Sequence, residues 1–565
     1  MAEQTSSLIP ALMWLPRKLT ALNAKAEKIS GKVPETIVLS LYCVLKAVMG
    51  IFHEPWFDEA VAWQIAREAT FKDILLTVPH YEGHPPLWHL VLAPFAKLGA
   101  PYELSLVLVS LIFMGLAVFL ILWYAPFLRL VKWVLPFTYY CFYQYAVISR
   151  PYCMMVLAFV LCALAFSKRN EKPGRYVLSL AFLCLTSAFG IAVAGGLALA
   201  WVWEILREKP LSETLKGLFR DRRVWWLLAL LALAVLLILE IMPAEDTYAT
   251  KKKVLTGQST SFAVFLDLLF CFPTDVFLAS VNPYESSFSV SFADPSFIGA
   301  LIVGIILWGL FLYLAKRRNF VLTLTIPYFC FALLGSFAYI NSHHTGVAFF
   351  LFLFFLWVAL ETPDKTPPEN ETAAQGVKAA AKVLVALSLC VSLVWNISSC
   401  IIDVKKPYSP AREMASFIKE HHLDDYRVMV GWADDDGVFD INLTEAAELM
   451  PYFDHNIFFN FMDGDDHQNY TTHRYATEEE TATAFEQWKQ GGFPDVLIYD
   501  PAVGEVFDDF KMTDYAVVFH TIGGKIWKGG DQLDARTILV RRTLLDTLGL
   551  KEMTAAEMLA IDYEQ

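Results

Sequence analysis

The sequence predicts a polytopic α-helical membrane protein of about eleven transmembrane helices, followed by a small extracytoplasmic α/β domain at the C-terminus. Three observations lead there. Of the 565 residues, 56% are hydrophobic and only 18% are charged, against roughly 25% in soluble domains. The charge deficit falls in long runs almost free of charge, such as 103–123, with Glu103 at its edge, and 345–360, long enough to cross a hydrocarbon core of ~30 Å. The charge is also unevenly divided. Residues 403–565 hold 14 Lys and Arg against 32 Asp and Glu, a net −18, and the remainder carries +5 of the total of −13. A mildly basic membrane body followed by an acidic soluble tail is the pattern of two compartments. The same acidity argues against nucleic acid, whose phosphates the tail would repel.

From the N-terminus, residues 1–35 carry Arg17, Lys18, Lys25, Lys28 and Lys32 among scattered apolar residues. They read as a basic amphipathic segment on the cytoplasmic membrane surface rather than a cleavable signal peptide, with a flexible polar leader as the alternative. Apolar runs then mark spans near 36–52, 103–123, 133–149, 152–167, 175–190, 191–206, 224–242, 297–315, 319–340, 345–361 and 381–402. The basic connections 17–32, 129–132, 168–175, 207–223 and 316–318 fall on alternate loops, which the positive-inside rule assigns to the cytoplasm. That leaves loops 53–102 and 243–296, and the tail, outside. Loop 53–102 contains an amphipathic stretch, 59–74, and a shorter apolar run, 87–98, expected to be re-entrant or interfacial. The membrane domain thus covers 36–402. In the tail, 428–431, 496–499 and 515–520 read as strands, 411–421 and 478–489 as helices, and Gly523-Gly524 and Gly529-Gly530 as turns. None of the nine cysteines lies in the tail, and those in the body sit in or beside apolar runs as packing residues.

The residues able to do chemistry gather on the outer side. Asp58 and Glu59 directly follow the first span, where paired carboxylates serve as a general base and as ligands for a cation or a sugar hydroxyl. The alternative is that Asp58 caps the helix that begins there. Glu82 and His84, in Tyr81-Glu82-Gly83-His84-Pro85-Pro86, are the candidate ligands for a divalent metal cation. Arg150 occupies a very short outer turn, against the positive-inside trend. A phosphate partner suits it, and pairing with Asp58 or Glu59 is the competing reading. Lys251, Lys252 and Lys253 in loop 243–296 are further candidates for phosphate. His343 and His344 fill the short outer turn before the span at 345–361.

Taken together these elements resemble a known family. Trp56-Phe57-Asp58-Glu59-Ala60 after the first span resembles the first-loop motif of GT-C glycosyltransferases, and so does His84-Pro85-Pro86-Leu87-Trp88 about 25 residues later. The set is most similar to the bacterial branch related to protein mannosyltransferases and aminoarabinose transferases. Arg150-Pro151-Tyr152 is similar to an Arg-x-Tyr element of that branch. His344-Thr345-Gly346 resembles an Arg-His-x-Gly element, with His343 where the arginine would stand. The resemblance covers roughly 50–350. It implies a polyprenyl-phosphate-linked sugar donor, an extracytoplasmic acceptor (glycan, lipid or protein) and inversion at the anomeric carbon. Asp58 would be the general base, and Glu59 would orient the acceptor or support Asp58. Arg150, Tyr152, His343, His344, His84 and the three lysines would bind substrate or stabilise the departing phosphate. Some relatives use a divalent cation, for which Glu82 and His84 would be ligands. The resemblance does not extend to the tail, which by analogy with the class would help bind the acceptor.

Two other classes compete. A transporter or flippase of lipid-linked sugars would use the same cations but needs ionisable residues within the spans, where Lys46 and Glu204 stand out. A non-catalytic envelope assembly protein would work through the tail. Its acidic clusters at 434–436 and 463–466 match no complete calcium-loop spacing. The sequons at Asn396, Asn442 and Asn469 carry little weight.

Overall fold

The computed structural model describes residues 14–210, 212–213, 217, 220–247, 262–279, 295–365, 371–430, 444–460, 477–498 and 503–564. Lys251, Lys252, Lys253, both acidic clusters, and the sequons at Asn442 and Asn469 lie outside these residues.

Among the described residues seven helices are long and apolar enough to cross a membrane: Val33–Phe52, Tyr102–Tyr124, Ala188–Arg207, Arg222–Glu240, Phe297–Arg318, Ser342–Glu361 and Ala374–Lys405. Each matches an expected span. The other four expected spans differ. Tyr152–Phe166, Pro173–Cys184 and Val321–Phe337 are α-helices of 15, 12 and 17 residues. At 1.5 Å per residue these fall short of a ~30 Å core unless the flanking chain adds to them. The run 133–149 is not one α-helix. Pro136 lacks an N–H and crowds the preceding turn, so the chain passes through a 3-10 turn, Leu135–Phe137, into a π-helix, Tyr140–Val147. All eight π-helical residues are buried. Its wide turn ends at Ser149-Arg150-Pro151, and Pro151 opens the Tyr152–Phe166 helix. Arg150 is therefore held between two rigid elements.

At the N-terminus, Trp14–Glu27 is helical. Arg129 ties it to the first long helix, donating to the Ala26 carbonyl at 3.1 Å and to both Glu35 oxygens at 2.7 and 2.9 Å. In the first loop Phe57–Glu68 and Phe71–Leu76 form two helices, and Leu87–Lys97 forms another over the expected re-entrant run.

The tail forms a four-stranded sheet: β1 (Val428–Val430), β2 (Val496–Ile498), β3 (Tyr515–Trp527) and β4 (Gly530–Arg541), in the order β1-β2-β4-β3. β1 and β2 are parallel and fully buried, as a strand covered on both faces must be; the other pairings are antiparallel. Helices Ala411–Glu420 and Glu478–Gln490 appear at the expected places.

Gly523 and Gly524, expected as a turn, lie inside β3 instead. The reason is a close approach: a Cβ on Gly523 would stand 2.5 Å from Cδ of Pro410, and the Gly524 N–H donates to the Pro407 carbonyl at 3.2 Å. The glycines let the strand lie against the chain leaving the last membrane helix. Gly523→Val is expected to loosen this docking by about 1–3 kcal/mol. Faster release of the C-terminal domain in limited proteolysis would register it.

The hairpin turn itself is Lys528-Gly529, with φ of 50° and 82°, the left-handed pair that a two-residue turn requires. Lysine pays about 1–2 kcal/mol there, and its ammonium finds a strong partner. Buried Lys528 Nζ meets Asp275 Oδ1 at 2.9 Å. Alongside, the Gly529 N–H donates to Ser399 Oγ at 3.0 Å and Trp527 packs on Tyr139 at 5.6 Å. The hairpin tip is thus sunk into the membrane body. On the other flank Arg412 grips Glu103 with two bonds of 2.8 and 2.9 Å and reaches the His53 carbonyl at 3.2 Å.

Candidate active site

The site grows from the turn that ends the first membrane helix. His53-Glu54-Pro55 leads extended chain into Phe57–Glu68, with Trp56 at the N-cap. Asp58 and Glu59 therefore both stand in the first turn, where a carboxylate meets free N–H groups. They point to different partners. Glu59 folds back on the Trp56 N–H at 3.3 Å, accepts the Ser149 N–H at 2.6 Å, and contacts His53 Nε2 at 3.1 Å. It is only 1% exposed. Its contacts tie the Arg150 turn to the first loop.

His53 carries that connection further. Its Nδ1 lies 2.9 Å from Asp403 Oδ2, which also accepts the Tyr143 hydroxyl at 3.0 Å. Burial works against charge on this imidazole, but Asp403 and Glu59 outweigh it and push its pKa up to about 10. Both ring nitrogens then donate, each to a buried carboxylate.

Asp58, partly exposed, pairs with Arg150 at 2.8 Å. The competing reading of Arg150 is thus realised, and its guanidinium also faces the Trp56 and Tyr152 rings at 5.6 and 5.2 Å. Tyr152 in turn sits 5.6 Å from the His343 ring and 6.1 Å from that of His344. The π-helical Tyr145 stacks on Tyr152 at 4.7 Å and donates to the His343 carbonyl at 2.7 Å. Gly346 makes room for it, since a Cβ there would lie 2.5 Å from the Tyr145 ring. His344 is fully buried and its Nδ1 accepts the Asn341 N–H at 2.9 Å. That bond leaves the proton on Nε2.

Three buried donors in this cluster, Trp56 Nε1, the Tyr152 hydroxyl and His344 Nε2, have no hydrogen-bond partner among the described residues. Together with the Arg150 guanidinium, these donors could serve an acceptor-rich group brought to the cluster. Glu82 lies within electrostatic reach of Tyr339, and His84 of His343. Among the described residues no three His, Cys, Asp or Glu side chains converge as metal ligands. Glu82 and His84 would by themselves supply two protein ligands, the rest of a cation's shell coming from water or substrate oxygens.

The structure therefore joins Asp58, Arg150, Tyr152, His343 and His344, brings Glu82 and His84 to the edge, and turns Glu59 away. Sequence reasoning assigned no role to Trp56, His53, Asp403, Tyr143 or Lys525. Trp56 stood in the quoted motif, and His53 lay three residues before it. Asp403 lay one residue past the expected last span, where a lone acid at a span's end was a readable signal. Lys525, on β3, gave none.

No family model matches the chain, and no curated protein matches it. Among solved structures the chain is similar to ArnT from Cupriavidus metallidurans, in a crystal structure bound to undecaprenyl phosphate, with 14% identity, 90% of this chain and 98% of that chain covered, and a TM-score of 0.44.

Proposed function

We propose that this chain is an integral-membrane glycosyltransferase of the GT-C type, moving a sugar from a polyprenyl-phosphate carrier to an extracytoplasmic acceptor with inversion. One observation carries the reading: a carboxylate and a guanidinium paired at 2.8 Å, with three buried donors lacking acceptors around the cation. Phosphate oxygens fit the donors and Arg150. Asp58 beside them supplies the base. The acceptor hydroxyl attacks the anomeric carbon as its proton passes to Asp58. The bond from that carbon to the phosphate oxygen breaks, and the electron pair leaves on polyprenyl phosphate. Negative charge grows on that phosphate in the transition state, where fixed cations and N–H or O–H dipoles act most strongly. Arriving donor competes with Asp58 for the guanidinium and frees the carboxylate for the proton.

A flippase would share the phosphate cradle but needs ionisable residues within the spans as well. The two ionisable side chains noted in the spans also have structural partners: Lys46 donates to the Val107 carbonyl at 2.6 Å, and Glu204 pairs with Arg169 at 2.5 Å.

The test is label transfer by purified protein from a panel of radiolabelled polyprenyl-phosphate sugars to crude envelope acceptor. Wild type should transfer from at least one donor. Arg150→Lys, which loses the planar fork but keeps the charge, should raise the donor KM about 10-fold or more. A folded wild-type protein inactive with every donor would overturn the reading.

A further inference from the structure

The Asp58–Arg150 pair is neutral as a unit, so an entering phosphate needs a second cation to balance it. Several basic residues of the C-terminal domain approach the membrane body, and most are already matched. Lys528 pairs with Asp275, Arg412 with Glu103 and Glu54, and Lys406 with Asp531. Lys525 differs. Its ammonium sits over the Trp56 ring at 4.8 Å, on the same indole that Arg150 faces at 5.6 Å. Among the described residues it pairs with no carboxylate. It is also close enough to His343 for its charge to bear on that ring, together with Arg150 and His84.

Its position is not that of a loose surface lysine. Gly523, Lys525 and Trp527 alternate along β3 and share one face. Gly523 abuts Pro410 on the chain leaving the last membrane helix, while Lys525 and Trp527 meet Trp56 and Tyr139, so this face is the one turned to the membrane body. Three residues on, the tip is anchored by the buried Lys528–Asp275 pair and the Gly529–Ser399 bond. The backbone carrying Lys525 is pinned on both sides while its side chain remains exposed at the rim of the cradle.

We propose that Lys525 is a substrate-binding residue: the C-terminal domain supplies, through it, the second cation for the phosphate of the lipid carrier held at Arg150. The inference rests on the function proposed above. The carrier phosphate holds one negative charge as a diester in the donor and more as a monoester in the product, so a second cation favours the product side of the displacement. The tail is then part of the active site rather than an appended acceptor module.

Calorimetric titration of the full-length protein with farnesyl phosphate and, separately, inorganic phosphate tests this. Lys525→Met keeps the stem on Trp56 and removes the charge; Lys525→Arg keeps both. Wild type and Lys525→Arg should bind farnesyl phosphate alike and Lys525→Met about tenfold more weakly, with equal melting temperatures. Undiminished binding by Lys525→Met would overturn the role of Lys525 and leave the transferase reading standing. Weakened binding by both variants with lowered melting temperatures would assign Lys525 to docking and overturn it likewise. Inorganic phosphate bound as tightly as farnesyl phosphate would overturn the lipid carrier as its ligand. Binding of neither by wild type would overturn both this inference and the proposed function.

Discussion

Asp58→Asn is expected to lower kcat for sugar transfer by about 10²–10⁴-fold, the usual contribution of a general base, without weakening the donor. The split follows from the geometry. Asp58 pairs with the Arg150 guanidinium, for which, on the proposed function, the carrier phosphate competes, so removing the carboxylate's charge leaves Arg150 more available to the phosphate. Polyprenyl phosphate should bind the variant at least as tightly as wild type. Single-turnover rates with a labelled donor, together with a binding isotherm, separate the two effects. Transfer by Asp58→Asn at the wild-type rate would remove Asp58 from the chemistry. Slow transfer with equally weakened binding would make its role that of a partner for Arg150.

His53→Ala is expected to destabilise the protein by about 3–5 kcal/mol, the cost of taking one partner from a buried ionic group. Glu59 and Asp403, 1% and 2% exposed, would face each other without the cation between them. The pH dependence is a sharper test. The pKa of His53 is raised in the folded protein, to about 10. Its contribution is complete below the unfolded value near 6.5 and is lost as pH rises toward the folded one. Wild-type melting temperature should therefore decline between about pH 7 and 10, and His53→Ala should show a flatter profile. Equal slopes in both would mean that His53 is not charged in the fold.

Much of this was legible in the chain, and what was not has physical causes. Seven long helices announced themselves as uncharged runs because a bilayer imposes one length and one composition. The Asp58 loop and the Arg150 turn were readable because a charge just past an apolar run is costly unless used. Their direct pairing, 92 positions apart, follows only from the packed helices. The π-helix at Tyr140–Val147 escaped because hydropathy counts apolar residues and is blind to whether a turn holds 3.6 or more of them. Gly523-Gly524 misled because glycine marks turns and close approaches alike, and only the neighbouring Pro407 and Pro410 decide which. Lys525 meets Trp56 through the docking of one domain on another, an encounter no local pattern encodes.

The His53–Asp403 contact joins residues 350 positions apart, one at the end of the first membrane helix and one near the end of the last. A chain emerging from the ribosome holds the loop of Asp58 and Arg150 long before it holds Asp403. Until the final helix inserts, His53 and Glu59 have no third partner, and until the hairpin lands, Asp275 has no ammonium. On the proposed function, competence is thereby postponed to the last stage of biogenesis. A product truncated before the final helix would carry the Asp58 loop without its anchor on that helix and the buried Asp275 without its cation.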